Sequence, residues 1–309
     1  AALFYSQEVG KTEEGLRLAG ALWRFWEVRG HVGEGRAVLD QLLNLPGASE
    51  VPANVRAKAL NGAGVLAGNQ GDHARQMDIL QESRKLYEEL GDKSGIAQSI
   101  NNLGSIAYSQ GDYPRAQAYY TESLEIRREI SDSWGIANSL NNLGGVAFLQ
   151  GDCERALALH SESLSLRRNL GDKRGISMSL NNMGEIAQQQ EDYGRAAKLF
   201  AESLAIRQEL GDRFFIVSSL HNLAEVACSK KEYERGAQLF GAAEALREII
   251  GAPLPTDKQK NFDRYVEEAR DALGRADLKT SWSAGRVMSL DDAIQFALAE
   301  QNAQAKAVK

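Results

Sequence analysis

The sequence predicts an all-α fold, a superhelical solenoid of antiparallel helix pairs that ends in C-terminal capping helices. Three observations predict it. One phrase returns five times at a constant step of 40 residues, and such self-similarity is typical of stacked supersecondary units. Within each copy, the apolar residues follow a helical spacing that is interrupted once. The loops within and between copies are too short to join anything but antiparallel neighbours.

Each copy carries the same type of residue at fixed positions. The large apolar column is Leu60, Ile100, Leu140, Leu180 and Leu220. The small column behind it is Gly64, Gly104, Gly144, Gly184 and Ala224. These columns and the helical spacing around them predict two helices in every copy.

The loops carry the residues that end one helix and begin the next. Inside a copy the loop reads GDYPRA over 111–116. Gly111 can take the left-handed conformation that follows a helix, Asp112 can accept the first N–H groups of the next helix, and Pro114 is tolerated in a first turn. Between copies the loop reads GDKSG from Gly91. We therefore expect helices to change at every such Gly-Asp pair.

The regular copies do not fill the chain. We expect a divergent N-terminal helical repeat over 1–50, five 40-residue units over 51–250, and capping helices with a tail over 251–309. The array is expected to end at GAPLP, because Pro253 and Pro255 cannot continue a helix. Capping helices are predicted from Thr256 to about Leu273 and from Ser289 to about Ala299, where they would cover the last unit's apolar face.

Composition and charge exclude several classes of protein. The chain has 36 basic and 42 acidic residues, and the net charge of −6 has the wrong sign for neutralising phosphates, so we expect no direct nucleic-acid ligand. No apolar run approaches the roughly 18 residues that a spanning helix needs, and we expect no membrane partner. The two cysteines have no metal-like pairing, which favours a cytoplasmic protein. The chain begins at Ala1 without methionine, as a fragment of a longer protein would.

The inner face of the array is the expected binding site. First helices of stacked hairpins line the concave surface, where ligands of such arrays bind. Helical geometry places one set of side chains toward it. The candidate ligand-binding residues are Asn101, Asn102, Ser105, Tyr108, Asn138, Asn141, Asn142, Phe148, Asn181, Asn182, Glu185, Gln188, His221, Asn222 and Glu225.

The asparagine pairs admit two interpretations. A carboxamide offers one acceptor and two donors, which complement a peptide group, so a column of them can hold an extended backbone. One member of each pair can instead bond to the neighbouring helix and fix the stack. Glu185 and Glu225 favour a ligand with a basic end, and Tyr108 and Phe148 favour an apolar centre. The alternative, scattered surface side chains, stays open.

The other candidates favour structural roles. The second helix of two copies carries an arginine pair that we expect to face solvent. These pairs are Arg127–Arg128 and Arg167–Arg168. His160 shares a column with Tyr120 and is expected in the core. Arg75, Arg115, Arg155, Arg195 and Arg235 each follow an acidic residue by three positions and favour local ion pairs. No catalytic residue, metal ligand or cofactor site is predicted.

The order NNLG, Ala, GDY, RA, Tyr and SL over 100–126 resembles the signature of the tetratricopeptide repeats. The resemblance covers about 51–250 and implies a right-handed superhelical solenoid. The usual repeat has about 34 residues. Here the second helix is longer, as in kinesin light chains, whose similar LNNL ladder resembles a peptide-backbone clamp. The resemblance implies ligand contacts first for Asn102, Asn142, Asn182 and Asn222, and second for Asn101, Asn141 and Asn181.

The span from GLRLAGALWRFWEVRGH to WSAGRVMSLDDAI resembles the C-terminal sensor region of bacterial signal-transduction ATPases of the STAND class, many of which are LuxR-type transcription regulators. The resemblance implies a sensor or regulatory arm whose upstream ATPase domain belongs to the same polypeptide. Our first hypothesis is a non-enzymatic module that binds a protein or peptide segment in its groove. A small-molecule sensor, for instance for a sugar, and a self-associating scaffold are the alternatives.

Overall fold

The computed structural model describes residues 6, 11–251, 254 and 256–307, with their side chains except those of 28, 256, 257 and 300–307. This part of the chain is all-α and contains no strand. Its helices are α1 (Thr12–Arg29), α2 (Val32–Leu43), α3 (Ala53–Asn69), α4 (His73–Leu90), α5 (Lys93–Ser109), α6 (Tyr113–Glu129), α7 (Ser133–Leu149), α8 (Cys153–Leu170), α9 (Lys173–Gln189), α10 (Tyr193–Leu210), α11 (Arg213–Ser229), α12 (Tyr233–Ile250), α13 (Thr256–Arg286) and α14 (Leu290–Ala307). None of the helices described is both long and apolar enough to cross a membrane.

The chain divides into two compact units, residues 1–152 and residues 153–309. In unit 1, α1 to α7 pack each against its neighbour in sequence, and the first helix α5 also contacts the first helices α3 and α7. In unit 2, α8 to α13 pack in the same successive way, while α14 contacts α10, α11 and α12. The predicted all-α fold of paired helices is confirmed.

The loops have the predicted chemistry. Gly111 follows α5 with φ of 75°, and the Asp112 carboxylate accepts the Arg115 N–H at 3.2 Å. Pro114 lies in the first turn of α6. The same loop position holds Glu191 at φ of 61°, although a non-glycine residue is strained there. The Gly-Asp signal therefore marks the helix ends, and its backbone geometry persists where glycine is replaced.

The predicted columns form the core. Leu60, Ile100, Leu140, Leu180 and Leu220 are all buried. The small column is required because the second helix brings a large side chain against it: a Cβ on Gly104 would lie 2.7 Å from the Tyr120 ring, and a Cβ on Gly184 would lie 2.6 Å from the Phe200 ring. His160, in the same column as these rings, is 1% exposed. The prediction that it is a core residue is confirmed.

Buried polar residues form a second set of columns. Ser83, Ser123 and Ser203 are fully buried on second helices. Each hydroxyl donates to a first-helix carbonyl oxygen 26 residues earlier, at 2.9 Å for Ala57 and 2.8 Å for Ala97 and Ser177. These bonds fasten the two helices of a repeat, because a buried hydroxyl without a partner would cost free energy.

The expectation that both arginines of each pair face solvent is wrong. Arg127 and Arg167 are 5% and 3% exposed. Each guanidinium Nη1 donates to a carbonyl oxygen of the following first helix, Gly135 for Arg127 and Gly175 for Arg167, at 2.5 Å. Burial lowers the pKa of both groups below the ordinary arginine value. Arg207 repeats the arrangement, so this column joins one repeat to the next.

Replacing Arg167 by alanine is expected to lower the free energy of unfolding by about 2 kcal/mol, because it removes buried packing together with the bonds to Gly175 and Ser179. Its neighbour Arg168 is the matched control, since its side chain is 55% exposed and forms a surface ion pair with Glu202. Arg168→Ala is expected to change stability by no more than about 0.5 kcal/mol. Urea unfolding of both variants tests this, and equal midpoints would contradict the buried role.

The ends of the chain depart from the regular copies. The N-terminal region, where a divergent helical repeat is predicted over 1–50, forms α1 and α2. The helix expected to end near Leu273 does break at Gly274, where φ is 78° and ψ is 163°, but a further helical part follows to Arg286. Ser289 caps α14 by accepting the Asp292 N–H at 3.2 Å, and α14 continues past the predicted end to Ala307. Pro253, Pro255 and the Thr256 side chain lie outside the described residues.

Candidate binding surfaces

Asparagine side chains link successive first helices. In unit 1, Asn102 Nδ2 donates to Asn61 Oδ1 at 2.9 Å, and Asn142 Nδ2 donates to Asn101 Oδ1 at 3.1 Å. In unit 2, Asn222 Nδ2 donates to Asn181 Oδ1 at 3.2 Å. The second asparagine of one repeat thus bonds to the first position of the preceding repeat. Both members of a pair have a structural role, which agrees with the stacking interpretation.

The bonds between repeats leave part of each carboxamide unused. Asn101, Asn102 and Asn142 are all partly exposed. Among the residues described, no protein group bonds to Asn101 Nδ2, Asn102 Oδ1 or Asn142 Oδ1. These atoms provide donors and acceptors that water or a ligand can use. The stacking and ligand-binding interpretations therefore involve different atoms of the same side chains.

The remaining predicted residues of unit 1 surround these amides. We call the set the amide surface: Asn101, Asn102, Ser105, Tyr108, Asn138, Asn142 and Phe148. Tyr108 is 37% exposed, and its hydroxyl would lie 3.8 Å from a Cβ on Gly145 of the next first helix. Ser105 Oγ accepts the Tyr120 hydroxyl at 3.2 Å. Asn141 is buried, at 9% exposure, so it stands behind this surface.

Unit 2 carries a more charged arrangement on its first helices. Asn181 Oδ1 also accepts from Arg207 Nη1 at 3.3 Å, so this oxygen is doubly used. Its Nδ2 donates to Glu185 Oε1 at 3.4 Å. Gln188 Nε2 donates to Glu225 Oε2 at 3.1 Å. Asn182, Glu185 and Gln188 are partly exposed, as their expected position requires.

Three of the predicted residues in unit 2 are not on an accessible surface. His221, Asn222 and Glu225 are 3%, 4% and 2% exposed. The reason is α13, whose Phe262 ring stacks on the His221 ring with centroids 5.8 Å apart. The expectation that these three side chains line an open groove is therefore corrected. Sequence reasoning treated α13 as an end cap and missed that it covers binding-site positions.

The buried Glu225 carboxylate lies close to a histidine and a lysine. His221 Nε2 is 3.3 Å from its Oε1. Burial raises the pKa of Glu225, but the His221 imidazole and the Lys258 ammonium lower it by more, and its pKa lies below the ordinary value. Lys258 comes from α13 and bonds to Glu185 Oε1 at 3.0 Å. Both acidic residues expected to favour a basic ligand are thus close to a lysine of the same chain.

In the described part of the chain, no group of three or more His, Cys, Asp or Glu side chains could hold a metal ion. The amide surface of unit 1 offers hydrogen bonding and apolar contact, and the first helices of unit 2 add negative charge.

Comparison with known proteins identifies the repeats. The family model described as tetratricopeptide repeat matches residues 55–129 and 135–209. No curated protein sequence matches this chain.

Solved structures share the fold at low sequence identity. A STAND protein with a tetratricopeptide repeat sensor from Pyrococcus horikoshii is 14% identical, with a TM-score of 0.60, and the alignment covers 88% of this chain but 44% of that one. BtubC (BKLC) from P. vanneervenii is 19% identical, with a TM-score of 0.56 and coverage of 79% and 94%. A Rap protein complexed with competence and sporulation factor is 15% identical, with a TM-score of 0.55 and coverage of 99% and 96%.

These likenesses concern the fold, because every identity is below 20%. They agree with the helix pairs described above, and the family match adds the identity of the repeats. The matched residues and their 40-residue helix pairs make this chain a tetratricopeptide repeat protein.

Proposed function

We propose that this protein is a non-enzymatic binding module that holds an extended segment of a protein or peptide partner along the amide surface of unit 1. The supporting observation is the set of partly exposed amide atoms at Asn101, Asn102 and Asn142 that bond to no protein group described. They present a donor group and two acceptor oxygens at successive first helices. A peptide backbone offers the complementary groups at every residue.

The same amides are held in place before a ligand arrives. The bonds from Asn102 to Asn61 and from Asn142 to Asn101 restrict their rotamers. A ligand therefore does not have to order these side chains, which reduces the entropic cost of binding. Tyr108 and Phe148 supply apolar contact beside them. The combination favours a segment with an accessible backbone and an apolar side chain near its centre.

We further propose that the chain is the sensor or regulatory arm of a larger bacterial signalling ATPase or transcription regulator. The support is the fold shared with 44% of the STAND protein, a protein described as having a tetratricopeptide repeat sensor. An upstream ATPase domain in the same polypeptide would then receive the signal. Detection of ATP-dependent activity in the protein expressed from the complete reading frame tests this, and its absence there contradicts it.

A peptide-binding screen tests the amide surface. The full chain is exposed to a random peptide pool and, separately, to a metabolite library that includes sugars. We expect peptides to be retained, with affinity reduced about 2- to 12-fold by Asn102→Ala or Asn142→Ala, since one such hydrogen bond contributes about 0.5–1.5 kcal/mol. Retention of a sugar in place of peptides would instead support the small-molecule alternative.

Asn61→Ala is the matched control. Asn61 is 2% exposed and accepts the stacking bond from Asn102, so its loss weakens the stack and leaves the exposed amide atoms present. We expect this variant to lose stability and to reduce peptide affinity by less than Asn102→Ala does, because it removes only the restraint on the Asn102 rotamer. If Asn61→Ala and Asn102→Ala reduce binding equally, the amides act through the stack and the proposed contact is wrong.

A further inference from the structure

The first turns of α13 lie across the first helices of unit 2. Lys258 Nζ is 3.0 Å from Glu185 Oε1, and each of the two side chains is 29% exposed. Four residues on, Phe262 stacks on His221 and meets the Phe240 ring edge to face, with centroids 5.1 Å apart. The Tyr265 hydroxyl is 2.8 Å from Ser229 Oγ. This half of the helix is therefore anchored by one cation, one apolar ring and one hydroxyl.

The acidic residues beneath it are specific to this end of the array. The corresponding column reads Val65, Ser105, Gly145, Glu185 and Glu225. The stack does not need a carboxylate there, because the other three copies form without one. Acidic side chains at two successive copies therefore call for another explanation than packing.

Glu225 is the unusual member of this pair. Its side chain is 3% exposed, and its Oε1 accepts no hydrogen bond from the residues described. Its other oxygen accepts from Gln188 Nε2, and a buried carboxylate whose hydrogen bonding is incomplete is costly unless a cation compensates it. The ammonium of Lys258, from outside the repeats, supplies positive charge, and His221 Nε2 lies 3.3 Å from Glu225 Oε1. The carboxylate is thus placed to interact with a cation that arrives over the first-helix face.

We propose that Glu185 and Glu225 form a recognition site for a lysine or arginine side chain of the partner, and that the first half of α13 (256–273) is its intramolecular occupant. Lys258 stands in for the partner's cation and Phe262 for an apolar side chain four residues further along. The inference rests on the proposed function, because it specifies a side chain of the proposed partner. A basic segment binds by displacing α13 and taking over its ion pair.

The chemistry of the displaced contacts makes the exchange feasible. The Lys258–Glu185 pair is partly exposed, and such pairs contribute little to stability because water screens them. The incoming cation recovers the same pair, so its loss is compensated. What the partner must replace is the packing of Phe262 and of the buried Tyr265, together with the bond between Tyr265 and Ser229. The site should therefore select a basic residue followed by an apolar or aromatic residue.

A peptide with the sequence of residues 258–273, KQKNFDRYVEEARDAL, is the probe. It is labelled and titrated into the full chain, and binding is read by fluorescence anisotropy. We expect Lys258→Met in the protein to tighten binding about 2- to 5-fold, because the internal competitor loses its ion pair while the methionine keeps the apolar stem. Lys260→Met is the matched control, since Lys260 is exposed on the same helix, and it should bind as wild type does.

Two further variants test the cation itself. Adding Glu185→Gln to Lys258→Met should cancel the gain, and so should norleucine in place of the first lysine of the probe. Equal affinities for Lys258→Met and Lys260→Met, or full affinity of the norleucine probe, overturn the proposal. Circular dichroism confirms that each variant is folded. Hydrogen exchange in wild-type protein gives a second measurement, because excess probe should raise exchange in residues 258–273.

The probe also separates this inference from the proposed function. Its affinity should not respond to Asn102→Ala, because that side chain belongs to unit 1. If pool peptides ignore Asn102→Ala while the probe behaves as expected, the amide surface fails and the acidic site stands. If the probe ignores Glu185→Gln while pool peptides respond to Asn102→Ala, the acidic site fails and the proposed function stands.

Discussion

Replacing His160 by phenylalanine is expected to remove about 3 kcal/mol of acid-induced destabilisation. Burial, and secondarily the charge of Arg167, lowers the pKa of His160 from 6.5 to about 4. Between these two values the unfolded chain binds a proton that the folded chain does not, so stability falls as the pH is lowered from about 6.5 to about 4. Phenylalanine has no proton to bind. The same position is filled by Phe200 and Phe240 in the following copies.

The phenylalanine variant should also be more stable at pH 7.5. His160 Nδ1 is buried without a hydrogen-bond partner among the residues described, and removing such an atom recovers about 1 kcal/mol or more. Urea unfolding of wild type and variant from pH 4 to pH 8 measures both effects. Parallel stability curves over this range would show that His160 binds a proton equally well in the folded and the unfolded chain, and would contradict the prediction.

Replacing Gly285 by alanine is expected to lower the free energy of unfolding by about 3 kcal/mol, because α12 and α13 touch through their backbones at this point. A Cβ on Gly285 would lie 1.9 Å from the Gln238 carbonyl oxygen, and a Cβ on Gly241 would lie 2.2 Å from that of Trp282. A side chain could rotate away from such a contact, but a helix backbone must shift as a whole. The variant should therefore also lose the bond from Trp282 Nε1 to Glu244, which measures 2.8 Å.

Gly194→Ala is the matched control for this change. Gly194 lies in α10, and the nearest atom to an added Cβ is Asp192 Oδ1 at 3.8 Å. Alanine should be tolerated there and should stabilise the helix by about 0.5 kcal/mol through its lower unfolded-state entropy. Differential scanning calorimetry should show the two glycine variants shifting Tm in opposite directions. A small Tm change for Gly285→Ala would mean that the helices are further apart than described.

The repeated helix pairs could be predicted because their signals are local and recur. A column such as Leu60 to Leu220 needs only helical periodicity, and a loop such as Gly111-Asp112 needs only the preferences of helix ends. The repeated asparagine pairs could be recognised from the sequence in the same way. The bond between Asn142 and Asn101 joins residues 41 positions apart, and the direction in which that bond runs depends on how neighbouring helices are offset.

The buried arginines show where such reasoning fails. Arg167 and Arg168 are identical in type and adjacent, and a charged pair on a helix favours solvent. One of them is buried because the carbonyl oxygen of Gly175 lies within its reach on the next helix. That acceptor belongs to a different part of the chain, and its availability is a property of the packed structure.

The position of α13 could not be inferred for a related reason. Lys258 and Phe262 occur once, so no column identifies their partners. The contact of Lys258 with Glu185 spans 73 residues. Sequence reasoning associated Glu185 and Glu225 with a basic group of a separate molecule. In the described structure a lysine of the same chain occupies the position.

The serine columns bear on how a chain of this kind can change in length. Ser83, Ser123 and Ser203 make the same bond to a carbonyl oxygen 26 residues earlier. The copies therefore have the same contact between their two helices. After a gene duplication or deletion of one whole 40-residue copy, every remaining copy would still form its serine–carbonyl bond. An insertion of another size within one of the two helices would shift the serine hydroxyl relative to its carbonyl acceptor. Recombination can therefore lengthen or shorten the array by whole copies while each copy keeps the hydrogen bond between its two helices.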